Sequence, residues 1–197
     1  MTPYDGTAPS DPTYAFKPSL MGALSQFTLR PDTLDWQIGR RSGSIRYNRV
    51  EAIRLSYRPV TTQTHRFIAE IWSADNPKIQ IVSTSWRSMF EQERFDAAYA
   101  AFIGELHRRL AATGTRARFS TGMPRATYWL GLIVFAAVMI GTAILGVRAL
   151  MAGQWSAAAI ISAFFAVFAY QIGNHFRRNW PGRYRADAIP PNVMPRA

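Results

Sequence analysis

The chain has 197 residues, enough for one domain of about 100 to 150 residues with an appendage. It contains no cysteine, which excludes a disulfide framework, a thiolate metal site and a cysteine nucleophile. Lys and Arg number 23 against 12 acids, a net charge of +11, so the charge points to nucleic acid, to an anionic membrane surface or to the cytoplasmic flanks of membrane spans, and its placement along the chain decides among them.

Residues 1–23 are rich in Pro, Ser, Thr, Asp and Gly and lack both a basic n-region and an apolar h-region, so a disordered tail is expected there and no cleavable signal peptide is visible. From Phe27 to Ser83 the apolar residues recur with period two between turn signals. "FTLR" reads as a strand ended by Pro31-Asp32. "TLDWQI" places Leu34, Trp36 and Ile38 on one face, and Arg40–Gly43 reads as a turn in which Gly43 supplies positive φ. "SIRY" points Ile45 and Tyr47 inward. In "AIRLSYR" Ile53, Leu55 and Tyr57 face one way and Arg54, Ser56 and Arg58 the other. "RFIAEIW" and "KIQIV" follow, separated by "ADNP", and "STSW" suggests a further short strand. Six or seven antiparallel strands with one buried face favour a curled barrel or sandwich over an open sheet.

The period then changes. Residues 88–113 read as an amphipathic helix with Phe95, Ala98, Tyr99, Phe102, Leu106 and Leu110 as its apolar stripe. Ser88 and Glu91 have capping-box spacing, Gly114 suits the C′ position, and His107, Arg108 and Arg109 lie where positive charge suits the helix dipole. Residues 114–125 read as a basic linker along the membrane surface.

Two uncharged runs follow. Ala126–Val147 has 22 residues, about 33 Å as a helix, enough to cross a hydrocarbon core of about 30 Å. The second span is expected over 154–173, with a tight turn between the two, so residues 126–174 form a transmembrane helical hairpin. Tyr128, Trp129, Trp155, Tyr170 and Trp180 mark the interfaces, as aromatic residues do at headgroup depth. Residues 106–125 carry five arginines, Arg125 among them. Residues 174–193 carry four, including Arg177 and Arg178. The turn carries Arg148 alone. By the positive-inside rule both termini are cytoplasmic, which expects a multi-pass protein of a cytoplasmic (inner) membrane. Much of the net charge is thereby accounted for without nucleic acid.

No ionisable residue lies inside either span, which argues against a transport pathway. Small residues recur at four-residue spacing: Ala137 and Gly141, Thr142 and Gly146, Ala158 and Ser162, Ala159 and Ala163. Such spacing lets helices approach closely, either within the hairpin or between copies of the chain. The tail, residues 175–197, is basic and Pro-rich. It reads as a snorkelling anchor with a disordered end, or as "AIPPNVMP" docking as an extended segment on the barrel or on a partner.

The strands of Phe27–Pro59, the Gly turn, the spacing of Val50 and Ile53 and the helix at 88–113 together resemble the pleckstrin-homology-like (PH-like) domain over residues 24–113. Bacterial PH-like proteins in particular fuse this domain to membrane helices. The resemblance implies an α+β chain: a PH-like antiparallel barrel of six or seven strands, capped by a C-terminal helix and followed by the transmembrane hairpin. It further implies a binding or assembly module with no catalytic motif. The chain itself has no G-x-S-x-G, no phosphate-binding Gly loop and no H-E-x-x-H, so no enzyme activity, metal or cofactor is expected. The one candidate site is a set of arginines, Arg40, Arg41, Arg46, Arg49, Arg54 and Arg58, suited to anionic headgroups or to a protein partner. The basic lysine pattern of phosphoinositide-binding PH domains is missing from the first turn. Trp36 and Tyr57 fall in phase with aliphatic residues and belong to the core, so no nucleic-acid stacking surface and no small-molecule substrate is indicated. The expected function is a membrane-anchored interaction module with a protein partner or a second copy. The alternatives are a lipid-headgroup sensor and an accessory subunit of a membrane transporter or larger membrane complex.

Overall fold

A computed structural model describes residues 11–59, 65–87 and 92–195. The chain is α+β: a sheet-rich N-terminal region, one helix packed on it, and two long apolar helices toward the C-terminus. Strands β1 (Thr13–Phe16), β2 (Ser25–Leu29), β3 (Thr33–Ile38) and β4 (Arg41–Arg46) form an antiparallel meander in that order. Side chains alternate across each strand, so Tyr14, Phe16, Phe27, Leu29, Leu34, Trp36 and Ile45 share one buried face. The β1 strand lies inside the stretch expected to be a disordered tail. Its four residues suffice because Tyr14 and Phe16 are both buried against the core, and Tyr14 Oη donates a 2.7 Å hydrogen bond to the Val82 carbonyl.

The β3–β4 turn also differs from expectation. It is the two-residue Gly39-Arg40 loop, with a positive φ of 61° at Gly39 and no positive φ at Arg40, as a type II′ hairpin requires. Gly43 lies within β4 opposite Trp36. A Cβ there would come within 2.7 Å of the indole, so this glycine makes room for the tryptophan and does not turn the chain.

A second sheet is mixed. Strands β5 (Val50–Pro59), β6 (His65–Ser73) and β7 (Ile79–Val82) are antiparallel. A short hairpin, β8 (Thr84–Trp86) with β9 (Gln92–Arg94), follows. Helix α1 spans Asp96–Ala112. Strand β10 (Arg118–Thr121) then pairs parallel to β5, and β11 (Gly182–Arg183) pairs with β10, giving the order β11-β10-β5-β6-β7. The described residues thus contain eleven strands in three sheets, and no ladder among them closes a barrel.

Helix α1 buries Tyr99, Phe102, Ile103, Leu106 and Leu110, whose i, i+3, i+4 spacing forms one stripe against residues of both larger sheets. Its start falls later than the sequence suggests, because residues 92–94 are a strand; Ser88 and Glu91, the expected capping box, lie outside the described residues. Ala98 is exposed, and Ile103 and His107 complete the buried stripe. The helix ends in a Schellman motif. Gly114 has φ of 64°, its N–H donates to the Ala111 carbonyl at 3.1 Å, and the Thr115 N–H donates to Leu110 at 3.4 Å.

Helices α2 (Arg125–Met151) and α3 (Trp155–Arg178) form an antiparallel hairpin turned at Gly153, where φ is 69°. Both are long and apolar enough to cross a membrane, and the most apolar stretch of each is almost wholly uncovered by the rest of the chain. The helices meet along Leu132, Phe135, Met139, Thr142 and Gly146 on α2, at alternating three- and four-residue steps. The facing residues on α3 include Ala158, Ile161, Ile172 and Phe176. Phe135 lies 5.8 Å from Phe176 and 6.4 Å from Phe168, centroid to centroid. The tail after α3 returns to the sheets, where a 3-10 turn at Pro191–Val193 buries Val193 completely in the core.

Candidate functional site

The six candidate arginines do not converge. Arg40 and Arg41 sit exposed at the β3–β4 hairpin, and Arg46 is exposed at the end of β4. Arg49 pairs with Asp75 at 3.3 Å in the open. Arg54 and Arg58 project from the outer face of β5, the face opposite Ile53, Leu55 and Tyr57. Arg54 is engaged on that face: it lies over the Trp72 ring at 5.1 Å and 3.7 Å from Glu70. Glu70 is buried and accepts hydrogen bonds from Lys78 Nζ and Gln80 Nε2, each at 2.9 Å. Burial pushes its carboxyl up, but Lys78, Gln80 and Arg54 together outweigh burial and hold it below the usual value. This acid is therefore a charged anchor for the strand face.

The meeting of the hairpin with the sheet is built from several backbone and side-chain hydrogen bonds. Its elements bring together residues distant in sequence. Strand β10 runs parallel beside β5 and leads directly into α2, so the supposed linker is part of the sheet. At its end the Gly122 N–H donates to the Leu55 carbonyl at 2.8 Å, and the Met123 N–H donates to Asn179 at 3.1 Å. Gly122 has φ of 71°, and a Cβ there would fall on the backbone carbonyls of Asn179 and Trp180. Asn179 is 1% exposed. Its Oδ1 accepts from the Tyr57 N–H at 3.2 Å, and its Nδ2 donates to the His175 carbonyl at 3.2 Å. The Gly182 N–H donates to Thr121 Oγ1 at 3.1 Å and brings β11 alongside. Two chain segments, one entering α2 and one leaving α3, are thus hydrogen-bonded to the same strand.

The expected interface aromatics divide. Trp129, Trp155, Tyr170 and Trp180 are exposed. Tyr128 is buried, with Phe176 at 5.3 Å and Trp180 at 5.4 Å between ring centroids, so it holds the helix bases together and does not face lipid. Arg125 and Arg177 are exposed. Arg178 lies half-buried over the Tyr57 ring at 4.6 Å, a cation–π contact that makes it part of the junction. Of the small residues, Thr142 and Gly146 lie on the seam between the helices, with Gly146 facing Ile161. The Thr142 hydroxyl donates to the Val138 carbonyl of its own helix at 2.8 Å. Ala137, Gly141, Ala159, Ser162 and Ala163 are exposed outside the seam.

Sequence reasoning missed the residues that make the junction. Asn179 and Gly122 carry no periodic signal, and the pairing of β10 with β5 is long-range. It also misread His107. This histidine is 1% exposed, and its Nδ1 lies 2.8 Å from the Ile103 carbonyl, so Nδ1–H donates there and Nε2 accepts from the Tyr184 hydroxyl at 2.8 Å. Burial pushes its pKa down to about 4, the Ile103 bond only partly opposing, so it is a neutral core residue and not a charged end to the helix dipole.

Among the described residues no group of three His, Asp or Glu side chains is placed to hold a metal ion. Comparison with known proteins finds no matching family model, no matching curated protein and no matching solved structure.

Proposed function

We propose that the chain is a membrane-anchored interaction or assembly module with no catalytic activity of its own. In this reading the hairpin spans the bacterial inner membrane, both termini lie in the cytoplasm, and the sheet region is a PH-like domain held at the membrane surface. The observation that carries the reading is the junction. The sheet is joined to the base of the hairpin through Gly122, Asn179, Tyr57 and Arg178, with no flexible tether between them. A domain so fixed presents a constant face to the bilayer and a constant face to the cytoplasm, which suits the recruitment or alignment of a partner. A succession of strands followed by one long helix supports the PH-like assignment, as does a single apolar core shared by α1 and both larger sheets.

Cross-linking in native membranes followed by mass spectrometry tests the reading. The expected result is a reproducible cross-link from the exposed sheet region to one partner or to a second copy. A chain that stays monomeric and uncross-linked at every expression level would refute it.

A further inference from the structure

Between the outer face of β5 and the base of the helical hairpin lies a cleft of about 560 Å³. The strand contributes Arg54, Ser56 and Arg58, three alternate residues of one face. The helices contribute Thr127 in the first turn of α2, and His175 and Asn179 at the end of α3. Three independent features make its interior suited to an anion.

The first is an unbalanced charge. Arg58 lines the cleft and stands directly opposite Arg66, which does not line it, across the β5–β6 ladder, a like-charge pair that an anion beside Arg58 would relieve. The Arg66 Nε is buried and has no hydrogen-bond partner among the described residues. Burial, with the neighbouring Arg58 charge, holds the Arg66 guanidinium below its usual value. The acid that does line the cleft, Glu70, is already taken up by Lys78, Gln80 and Arg54.

The second is an unused hydroxyl. Ser56 is 5% exposed, and its Oγ has no partner among the described residues, although it lines the cleft. Leaving a buried hydroxyl unpaired costs stability, so Ser56 Oγ is a donor free to take a ligand atom. The third is the start of α2. The N-cap residue is Pro124, which makes no side-chain cap, and the first-turn amides of a helix have no intrahelical partner. Gly122, Pro124 and Thr127 place that positive end at the cleft.

We propose that this cleft binds a phosphate group, taken between Arg58, the Ser56 hydroxyl and the first turn of α2. Guanidinium, hydroxyl and helix-start amides are the donors that recognise phosphate oxygens. Where the hairpin spans a membrane, α2 starts at headgroup depth, and the phosphate is that of a phospholipid. This source rests on the membrane reading above; the phosphate chemistry does not. Occupancy would tie the sheet to the bilayer at the same point where Asn179 ties it to the hairpin.

The test is native mass spectrometry of the full-length protein in detergent, titrated separately with phosphatidylglycerol, with diacylglycerol, which lacks the phosphate, and with inorganic phosphate. Wild type is expected to retain phosphatidylglycerol or inorganic phosphate and not diacylglycerol, and the phosphate arm that binds identifies the source. Arg58→Gln is expected to weaken that binding about tenfold, and Ser56→Ala severalfold. Arg116→Gln, an exposed cation away from the cleft, is expected to leave it unchanged. Ser56→Ala removes an unpaired hydroxyl, so its unliganded thermal midpoint should not fall, which separates lost binding from lost folding. Retention of diacylglycerol equal to phosphatidylglycerol overturns the proposal. So does binding that neither Arg58→Gln nor Ser56→Ala weakens, or no binding in either phosphate arm. Alkaline carbonate extraction of the same chain reports separately on the membrane reading: release from membranes would sink that reading while leaving an inorganic-phosphate result standing.

Discussion

Gly122→Ala should loosen the junction far more than an alanine at other glycines of the chain. Gly122 has φ of 71°, where a Cβ costs about 1–2 kcal/mol. The added Cβ would also meet the carbonyls of Asn179 and Trp180, which are backbone atoms and cannot rotate aside. Relief requires β10 and the end of α3 to separate. That breaks the Gly122–Leu55 and Met123–Asn179 hydrogen bonds, worth about 1 kcal/mol each. The sum is about 3–4 kcal/mol, more than a hundredfold in the population of the detached state. Two controls bracket it. Gly114 has φ of 64° but open space around it, so Gly114→Ala should cost only the backbone term, about 1–2 kcal/mol. Gly141 is helical with open space, so Gly141→Ala should be neutral or favourable by up to about 1 kcal/mol. Hydrogen exchange of the solubilised protein, read over residues 118–123, measures the detachment directly. If Gly122→Ala exchanges there no faster than Gly114→Ala, the hairpin is not joined to the sheet as described.

His107 predicts a pH dependence. In the folded chain it stays neutral until about pH 4, whereas in the unfolded chain it protonates near 6.5. The unfolded state therefore binds the proton first, and stability falls as pH drops from about 6.5 to 4, by about 3 kcal/mol in all. His107→Gln should remove this part of the slope, and parallel unfolding curves for the two proteins between pH 7 and 4.5 would contradict the assignment. Val193 is fully buried, so Val193→Ala should cost about 2 kcal/mol through lost burial and the cavity left behind. The same change should expose the tail to protease, and a tail no more easily cleaved than in wild type would mean that it is not docked.

The strands with clean alternation were legible in the sequence because each buries one face. Leu34 with Trp36, Ile53 with Leu55 and Tyr57, and Ile79 with Ile81 point where the period-two reading puts them. The two long apolar helices were legible because a helix left uncovered by the rest of its fold can stay apolar all round, and among the described residues little covers the most apolar stretch of α2 or α3. What escaped was structure whose stability is tertiary. Strand β10 reads as a basic linker because Arg118 faces out, and only its partner β5, far upstream, defines it as a strand. For the tail, four prolines break any periodicity, so the sequence leaves open a disordered end or "AIPPNVMP" docked as an extended segment, and Val193 and Ile189 pack on the core as the second reading has it. Gly39 and Gly43 both sit near one turn. Only the position of Trp36 across the ladder reveals which glycine bends the chain and which one accommodates an indole. The arginine cluster looked like one site because its members are close in sequence. The meander instead sends Arg40 and Arg41 to a hairpin tip and Arg58 to a cleft beside α2.

The central claim, a sheet domain on the cytoplasmic side of a membrane-spanning hairpin, is tested most directly by single-cysteine accessibility. The natural chain has no cysteine, so any thiol signal comes from the introduced residue alone. Gln154 lies exposed at the turn between α2 and α3, and Ser42 lies exposed in β4. A membrane-impermeant thiol reagent applied to intact spheroplasts should label Gln154→Cys at once, and Ser42→Cys only after the membrane is permeabilised. Labelling of both positions without permeabilisation, or protection of Gln154→Cys with labelling of Ser42→Cys, would contradict the account.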